Sequence, residues 1–202
     1  LVDLRGPAQH QVGLEAPLEQ ELGRPAGTTL ERIDPDKKAC QALVLVPTRE
    51  LAKQVEEEAQ ALAHGTGIRT IAVYGGVGYG PQLEAMEAGA QLVVGTPGRI
   101  LDHLLRRSLR LDDLEILIFD EADRMLDMGF IHDLRKISQV IPKERQTMLF
   151  SATLDGPVAK LVADFQHDPV RHEVGPKGPD VHAAQQTTPA TPRVASMPPV
   201  PV

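Results

Sequence analysis

The stretch Ile116-Leu117-Ile118-Phe119-Asp120-Glu121-Ala122-Asp123 is an apolar strand that runs directly into an acidic cluster. Four consecutive apolar positions are typical of a strand buried on both faces, as in the centre of a parallel sheet. In open α/β sheets, ligands bind beyond the carboxyl ends of such strands. The stretch therefore predicts an α/β fold with a functional site at residues 120–123.

Four other short apolar runs alternate with helical patterns between about Gln41 and Val170. The predicted strands are Ala42–Val46, Arg69–Tyr74, Gln91–Gly95, Glu115–Phe119 and Gln146–Phe150. The predicted helices are Arg49–His64, Pro81–Ala88, Pro97–Arg107, Phe130–Ile141 and Asp155–His167. Alternation of this kind forms right-handed βαβ units. We therefore expect an α/β domain, with a parallel sheet that carries helices on both faces.

Composition divides the 202-residue chain into three segments. Residues 1–36 have little apolar periodicity, and we expect a poorly structured segment with a short helix at Pro17–Leu22. Residues 37–174 carry the alternating pattern and form the predicted domain. Residues 175–202 contain seven prolines and almost no charge. Such a composition buries too little surface to offset its ordering entropy, so we expect a disordered tail.

Charge and cysteine content exclude several classes of protein. The net charge of −7 gives no general attraction to polyanions, so a nucleic acid would be held by local contacts. The single cysteine, Cys40, excludes an internal disulfide and a cysteine-built zinc site. No stretch reaches the roughly 18 apolar residues of a membrane span. We expect a cytoplasmic protein without a membrane partner. The histidines lack metal-ligand spacing, and we predict that they lie on the surface.

Each predicted strand is followed by residues that suit ligand binding. The five segments that follow the strands are Pro47-Thr48-Arg49, Gly75-Gly76, Thr96-Pro97-Gly98-Arg99, Asp120-Glu121-Ala122-Asp123 and Ser151-Ala152-Thr153. Because parallel strands end at the same edge of a sheet, we expect these segments to share one edge.

In the acidic cluster, Asp120 is the candidate ligand of Mg²⁺, which needs only one carboxylate when phosphates supply further oxygens. Glu121 is then the candidate to orient and deprotonate an attacking water. The alternative is that these acids only cap the following helix. Three acids in four residues exceed what a cap requires, so we favour the catalytic interpretation.

The other segments suggest phosphate contacts and a hydroxyl sensor. Arg49 and Arg99 each begin a helix, where free N–H groups and a guanidinium can hold a phosphate. Gly75-Gly76 permits close approach of a backbone to a ligand. Ser151 and Thr153 are expected within reach of Asp123. Taken singly, each of these segments also has an interpretation as a turn or a helix cap.

In this order, the motifs resemble the first RecA-like domain of the DEAD-box RNA helicases. Residues 119–130 and 141–153 are especially similar to the bacterial members, and the similarity runs from about Thr29 or Gln41 to Val174. The resemblance implies ATP with Mg²⁺ as cofactor and the backbone of single-stranded or duplex RNA as partner. It assigns the following RNA contacts: Pro47, Thr48, Arg49, Gly75, Gly76, Thr96, Pro97, Gly98 and Arg99.

The resemblance also assigns catalytic roles. It gives the metal to Asp120, the water to Glu121, and the coupling of hydrolysis to strand separation to Ser151 and Thr153 with Asp123. ATP is therefore expected to lie against Asp120 and Glu121.

Two parts of the family pattern are missing from the chain. The phosphate-binding loop Gly-x-Gly-Lys-Thr should lie before Pro47, but that interval reads Gly23-Arg-Pro-Ala-Gly-Thr-Thr29, and no Gly-Lys-Ser/Thr triplet occurs elsewhere. The second RecA-like domain, with its arginine fingers, is absent. Thr29–Asp34 resembles the end of the family's first helix. Loss of the strand before the phosphate loop would leave a gap, or an imperfect substitute, between Ile116–Phe119 and Gln146–Phe150.

We therefore expect a helicase fragment that is inactive alone, as a truncated or frame-shifted product would be. A non-catalytic RNA-binding module, a non-functional product and a pseudo-enzyme are the alternatives.

Overall fold

Seven parallel strands form one sheet in the computed structural model, which describes residues 10–14, 29–154, 156–166 and 169–173. The strands are β1 His10–Leu14, β2 Ala42–Leu45, β3 Thr70–Val73, β4 Leu92–Gly95, β5 Ile116–Phe119, β6 Gln146–Ser151 and β7 Val170–Glu173. The helices are α1 Arg49–Leu62, α2 Gly80–Glu87, α3 Pro97–Leu105, α4 Ala122–Asp127, α5 Ile131–Ser138 and α6 Gly156–Phe165. None of the described helices is long and apolar enough to cross a bilayer.

The strands lie in the order β3-β4-β2-β5-β6-β1-β7, and every pair is parallel. Near the carboxyl ends, Leu45 of β2 pairs with Phe119 of β5, which in turn pairs with Leu149 of β6. β2, β4 and β5 are buried at every position. The prediction of a parallel α/β sheet is confirmed, and so are the five predicted strands, with small shifts at their ends.

Alternate residues of the central strands enter two separate cores. On one face, Leu45 and Phe119 pack with residues of α3, α5 and α6, and the Phe119 and Phe165 rings meet edge to face at 4.8 Å. On the other face, Val44 and Ile118 pack with α1 and with Leu30 and Ile33 of the preceding segment. Burial of each such side chain contributes about 1.5–3 kcal/mol. The doubly buried strands thus require helices on both faces.

The amino-terminal segment departs from the sequence-based expectation. Residues 1–36 were expected to be poorly structured, yet β1 lies inside them and pairs with both β6 and β7. The expected gap between Ile116–Phe119 and Gln146–Phe150 was wrong, because β5 and β6 pair directly. Residues 10–14, before the boundary predicted at residue 36, therefore belong to the sheet.

Several other expectations lie outside the described residues or were incomplete. The helix predicted at Pro17–Leu22 and the tail at 175–202 fall on residues that the structure does not describe. α4 and β7 were not predicted as separate elements. Thr29 and Leu30 are helical, as expected for the end of a helix.

Two buried glutamines fasten the segment before β2 to the amino-terminal edge of the sheet. Gln41 accepts a hydrogen bond from the Asp34 N–H at 2.9 Å and donates to the Asp34 carbonyl at 2.8 Å. Gln91 donates to the Pro35 carbonyl and accepts from the Arg69 N–H, both at 2.8 Å. Because buried amides need partners on both of their ends, these contacts fix the path of the segment.

Gly89 ends α2 in a left-handed conformation and packs against the same segment. Its φ is +83°, and the N–H groups of Gly89 and Ala90 return to the last turn of the helix. An added Cβ would lie 2.6 Å from the Cβ of Lys38. The residue must therefore be glycine for two reasons, backbone conformation and space.

Gly89→Ala is expected to lower the free energy of unfolding by about 2–4 kcal/mol, measured by urea denaturation. Left-handed strain accounts for about 1–2 kcal/mol and overpacking against Lys38 for the rest. Gly65→Ala is the matched control, because Gly65 has a φ of +80° and open space around it. It should lose only the strain component. Equal losses in the two variants would contradict the packing argument.

Candidate functional site

The five polar segments meet at the carboxyl edge of the sheet. Because all the strands are parallel, the residues after β2 to β6 emerge on one side. The strand order divides them into two neighbouring groups. The predicted RNA-binding segments follow β3, β4 and β2, and the acidic and Ser-Ala-Thr segments follow β5 and β6. The two predicted functions therefore occupy adjoining halves of one edge.

Asp120 is a buried carboxylate, only 6% exposed, at the end of β5. Among the described residues it forms no ion pair, and its hydrogen bond comes from the backbone N–H of Glu121. Burial, followed by repulsion from Glu121, raises the pKa of Asp120 to about 7. A buried oxygen donor without a cationic partner fits a divalent cation. No group of three or more metal-binding side chains occurs in the described part of the chain.

Glu121 adopts a left-handed backbone conformation, with φ 50° and ψ 52°, at the start of α4. Such a conformation costs a non-glycine residue on the order of 1–3 kcal/mol and is concentrated at functional sites. The carboxylate lies 3.1 Å from the Arg124 guanidinium, and both side chains are partly exposed. The turn thus directs two successive carboxylates differently, one into the protein and one to the surface.

Ser151 connects β6 to the acidic turn. Its buried hydroxyl oxygen accepts a hydrogen bond from the Asp123 N–H at 3.2 Å and is 3.4 Å from the Thr153 N–H. The Ser151 hydroxyl thus contacts the backbone of Asp123. Thr153 itself is exposed.

Arg49 is the exposed cation of the group that follows β2. Thr48 uses its hydroxyl to cap α1, accepting from the Leu51 N–H at 3.2 Å, and Pro47 is buried. The Arg49 side chain is 62% exposed and pairs with Glu50. A Cβ built on Gly76 would lie 3.8 Å from its Nη1 atom. The structure therefore brings Arg49 and the glycine pair together.

Arg99 lies in a different environment from Arg49. Its side chain is 8% exposed. Its Nε donates to the Tyr74 carbonyl at 2.9 Å, and its Nη2 donates to the Val77 carbonyl. Both carbonyls belong to the loop that contains Gly75 and Gly76, which are exposed.

The start of α3 is partly covered. Thr96 is the N-cap but makes no capping hydrogen bond with its side chain, and Pro97 is buried in the first turn. A Cβ built on Gly98 would lie 3.5 Å from Oδ2 of Asp133 in α5. The Thr96 hydroxyl thus makes no capping hydrogen bond to α3, whereas the Thr48 hydroxyl caps α1.

Residues 26–161 match the DEAD/DEAH box helicase family. The chain belongs to this family. It is 46% identical to the ATP-dependent RNA helicase CshA of Listeria monocytogenes over 167 residues, which is 83% of this chain and 31% of that protein. It is 41% identical to the DEAD-box ATP-dependent RNA helicase CshA of Bacillus subtilis over 157 residues, 78% of this chain and 32% of the relative. The chain spans about a third of the length of these relatives.

The fold is also that of a solved family member. The crystal structure of a DEAD box protein from the hyperthermophile Methanococcus jannaschii superposes with a TM-score of 0.76 at 35% identity. The match covers 82% of this chain and 45% of that one. The resemblance to the first RecA-like domain of DEAD-box helicases is therefore confirmed.

Tyr74–Tyr79, between β3 and α2, form what we call the glycine loop. Beyond the family motifs, the sequence reasoning missed a polar cluster beneath this loop. The prediction that the histidines lie on the surface was wrong for His103, which is fully buried. Its Nε2 lies 2.9 Å from Oε1 of Gln82, and its Nδ1 lies 2.8 Å from Oγ of Ser108. The positions of Gln82, His103 and Ser108 in the sequence gave no signal of these contacts, because the contact of His103 with Gln82 depends on how α2 and α3 meet.

Asp120→Asn is expected to stabilise the chain in the absence of nucleotide and Mg²⁺. At pH 8 the carboxyl is ionised in both states, and its raised folded-state pKa means that the charge destabilises the folded state. The amide keeps the shape of the side chain and removes the charge. The free energy of unfolding in urea should rise by about 1–3 kcal/mol.

Asp127→Asn is the matched control, because Asp127 is exposed on the adjoining helix α4. Its effect should stay within about 0.5 kcal/mol. A loss of stability in Asp120→Asn would show that the native carboxylate is compensated by charge or hydrogen bonding.

Proposed function

We propose that this chain is the ATP- and RNA-binding part of a DEAD-box ATP-dependent RNA helicase, centred on the predicted domain at residues 37–174. One observation supports this most strongly. The buried Asp120 carboxylate and the Ser151 hydroxyl lie in one half of the edge, and an exposed arginine lies beside a glycine loop in the other. ATP and RNA would then bind side by side, as coupling between them requires.

In the nucleotide half, Asp120 would hold Mg²⁺. A bound Mg²⁺ supplies positive charge that offsets the charge on the ATP phosphates. Glu121 orients the attacking water and accepts its proton, a role that suits a carboxylate on the exposed side of the turn. The left-handed backbone of Glu121 accompanies a carboxylate at the protein surface, next to the buried Asp120.

In the RNA half, the proposed contacts go to the sugar-phosphate backbone, which carries no sequence information. Arg49 supplies an exposed guanidinium, whose partner in this structure is the likewise exposed Glu50. The glycine loop and the start of α3 supply backbone N–H groups and the Thr96 hydroxyl. The proposed contact residues are Pro47, Thr48, Arg49, Gly75, Gly76, Thr96, Pro97, Gly98 and Arg99. The acidic net charge is compatible with RNA binding, because these proposed contacts act only at short range.

The link between the two halves is proposed to run through Ser151. The hydroxyl holds the backbone of Asp123 at the start of α4, so a shift of β6 or of its following residues changes the acidic turn. Ser151, Thr153 and Asp123 are therefore proposed to couple the nucleotide state to the RNA half. A second RecA-like domain is the proposed partner that would complete the site.

A non-catalytic RNA-binding module is the second candidate. It is favoured by the sequence Gly23–Thr29, which carries no lysine to reach the β- and γ-phosphates, and by the lack of a Gly-Lys-Ser/Thr triplet within these 202 residues. Binding of Mg–ATP to the 202-residue chain distinguishes the two candidates, because only the first retains a nucleotide site.

Phosphate release from Mg–ATP should not be stimulated by RNA in this chain. The phosphate-loop lysine and the arginine fingers were not found among these 202 residues. Loss of the fingers alone is expected to lower the rate on the order of 10³–10⁵-fold. Glu121→Gln provides the blank for contaminating ATPases, because it removes the proposed base. Release that RNA stimulates and that Glu121→Gln abolishes would show that this chain is catalytic and would contradict the prediction.

Binding to a fluorescent single-stranded RNA should weaken with salt. Arg49→Ala is expected to weaken it by on the order of tenfold, since a charged hydrogen bond is lost. It should also reduce the slope of log K against log salt by about 0.7, the value for one phosphate contact on a single strand.

Arg110→Ala is the control for this binding experiment. Arg110 is 81% exposed but lies in the segment that leads into the amino end of β5, away from the site. The control should leave the salt slope unchanged. Equal effects of the two substitutions would indicate non-specific attraction, and absence of RNA binding by the parent chain would overturn the proposed RNA site.

A further inference from the structure

The glycine loop is fastened to α3 by a cluster of side chains that we call the loop clasp: Tyr79, Arg99, Asp102 and Arg106. The Tyr79 hydroxyl donates a hydrogen bond to Oδ2 of Asp102. Oδ1 of the same carboxylate accepts from the Arg106 Nε at 3.0 Å. One carboxylate therefore holds both the end of the loop and the last turn of the helix.

Two guanidinium groups lie against the ring of Tyr79. The Cζ atoms of Arg99 and Arg106 are 4.1 Å and 4.3 Å from the ring centroid, well inside the range of a cation–π contact. The imidazole ring of the buried His103 makes an edge-to-face contact with the same ring, at 5.4 Å between centroids. Tyr79 is thus held on several sides, although the four preceding residues of the loop are exposed.

The backbone carbonyls of Tyr74 and Val77, at the two ends of the exposed loop, accept hydrogen bonds from partly buried side chains. Arg99 donates to the carbonyls of Tyr74 and Val77, and Gln82 donates to the Tyr74 carbonyl at 3.1 Å. Gln82 is oriented in turn by His103. In a trans peptide the N–H lies opposite the preceding carbonyl, so carbonyls of Tyr74 and Val77 directed towards α3 leave the N–H groups of Gly75 and Gly78 on the other side of the loop.

These contacts are incompatible with a simple phosphate-binding role for the Arg99 guanidinium. Its N–H groups already bind backbone carbonyls, and its side chain is 8% exposed, against 62% for Arg49. Release of Arg99 to a phosphate would leave the Val77 carbonyl without its donor and the Tyr74 carbonyl with Gln82 alone. The cost of unmade hydrogen bonds at a partly buried site opposes that exchange.

We infer that Arg99 and the Tyr79 clasp are positioning elements, which hold the backbone of Gly75–Gly78 in place for an RNA phosphate while Arg49 supplies the charge. This inference rests on the proposed RNA-binding function and changes the role of Arg99 within it. It also explains why two arginines at equivalent helix starts differ so widely in exposure.

The salt dependence of RNA binding separates positioning from direct contact. Arg99→Ala should weaken binding of a fluorescent uridine oligonucleotide by about tenfold or more, with the slope of log K against log salt unchanged. Arg99→Lys should be nearly as weak, because lysine keeps the charge but cannot span two carbonyls and stack on a ring. Arg49→Ala, in contrast, should reduce the slope by about 0.7.

Tyr79→Phe provides a conservative test of the clasp that keeps the ring. It removes only the hydroxyl bond to Asp102 and should weaken binding severalfold at an unchanged salt slope. Amide hydrogen exchange at residues 75–77 should become faster in both Tyr79→Phe and Arg99→Lys, measured without RNA. Arg110→Ala should change neither quantity.

The outcomes are distinguishable. A salt slope that falls by about 0.7 in Arg99→Ala, with affinity retained in Arg99→Lys, would make Arg99 a phosphate ligand and overturn the inference while leaving the proposed function intact. Unchanged exchange in Tyr79→Phe and Arg99→Lys would overturn the clasp, whatever the RNA result. Failure of the parent chain to bind RNA would overturn the proposed function itself.

Discussion

Direct parallel pairing of β2 with β5, both buried on two faces, is the constraint on which the rest of the molecule depends. Because Leu45 is in register with Phe119, the Pro-Thr-Arg segment and the acidic cluster begin at the same level of the sheet. Burial on both faces requires α1 on one side and α3, α5 and α6 on the other. The helices then start beside one another at the carboxyl edge. The position of the site is thus a consequence of packing, and its chemistry is added by a few residues at the strand ends.

The acidic turn illustrates a conflict between stability and function. Asp120 is buried without a cationic partner among the described residues, and Glu121 is held in a conformation that most residues avoid. Neither feature helps the chain to fold. Both are tolerated because the strand that leads to them, Ile116–Phe119, is anchored in two cores. A folded scaffold with stability to spare can hold charge and backbone in arrangements that an isolated peptide would not adopt.

The sequence predicted the elements whose patterns are local. Leu43–Val46 and Ile116–Phe119 are apolar at every position, and the residues that follow them contain the polar groups of the site. It did not predict β1, because His10–Leu14 has no strong apolar pattern and is a strand only through its pairing with β6 and β7. The environment of Arg99 was equally inaccessible. It depends on carbonyls 22 and 25 residues earlier in the chain, and a sequence motif does not reveal which distant carbonyls an arginine will contact.

The position of β1 also bears on the order in which the chain is assembled during synthesis. His10 pairs with Thr147, and Gln11 pairs with Val170, so β1 leaves the ribosome well before the strands that it pairs with. The β2–β5 centre is complete in the nascent chain long before β6 and β7 emerge. Contacts of such large sequence separation form slowly and leave strand edges open meanwhile. The growing chain therefore carries an unpaired β1 until residues 146–173 have been synthesised, a period in which other strands compete to pair with β1.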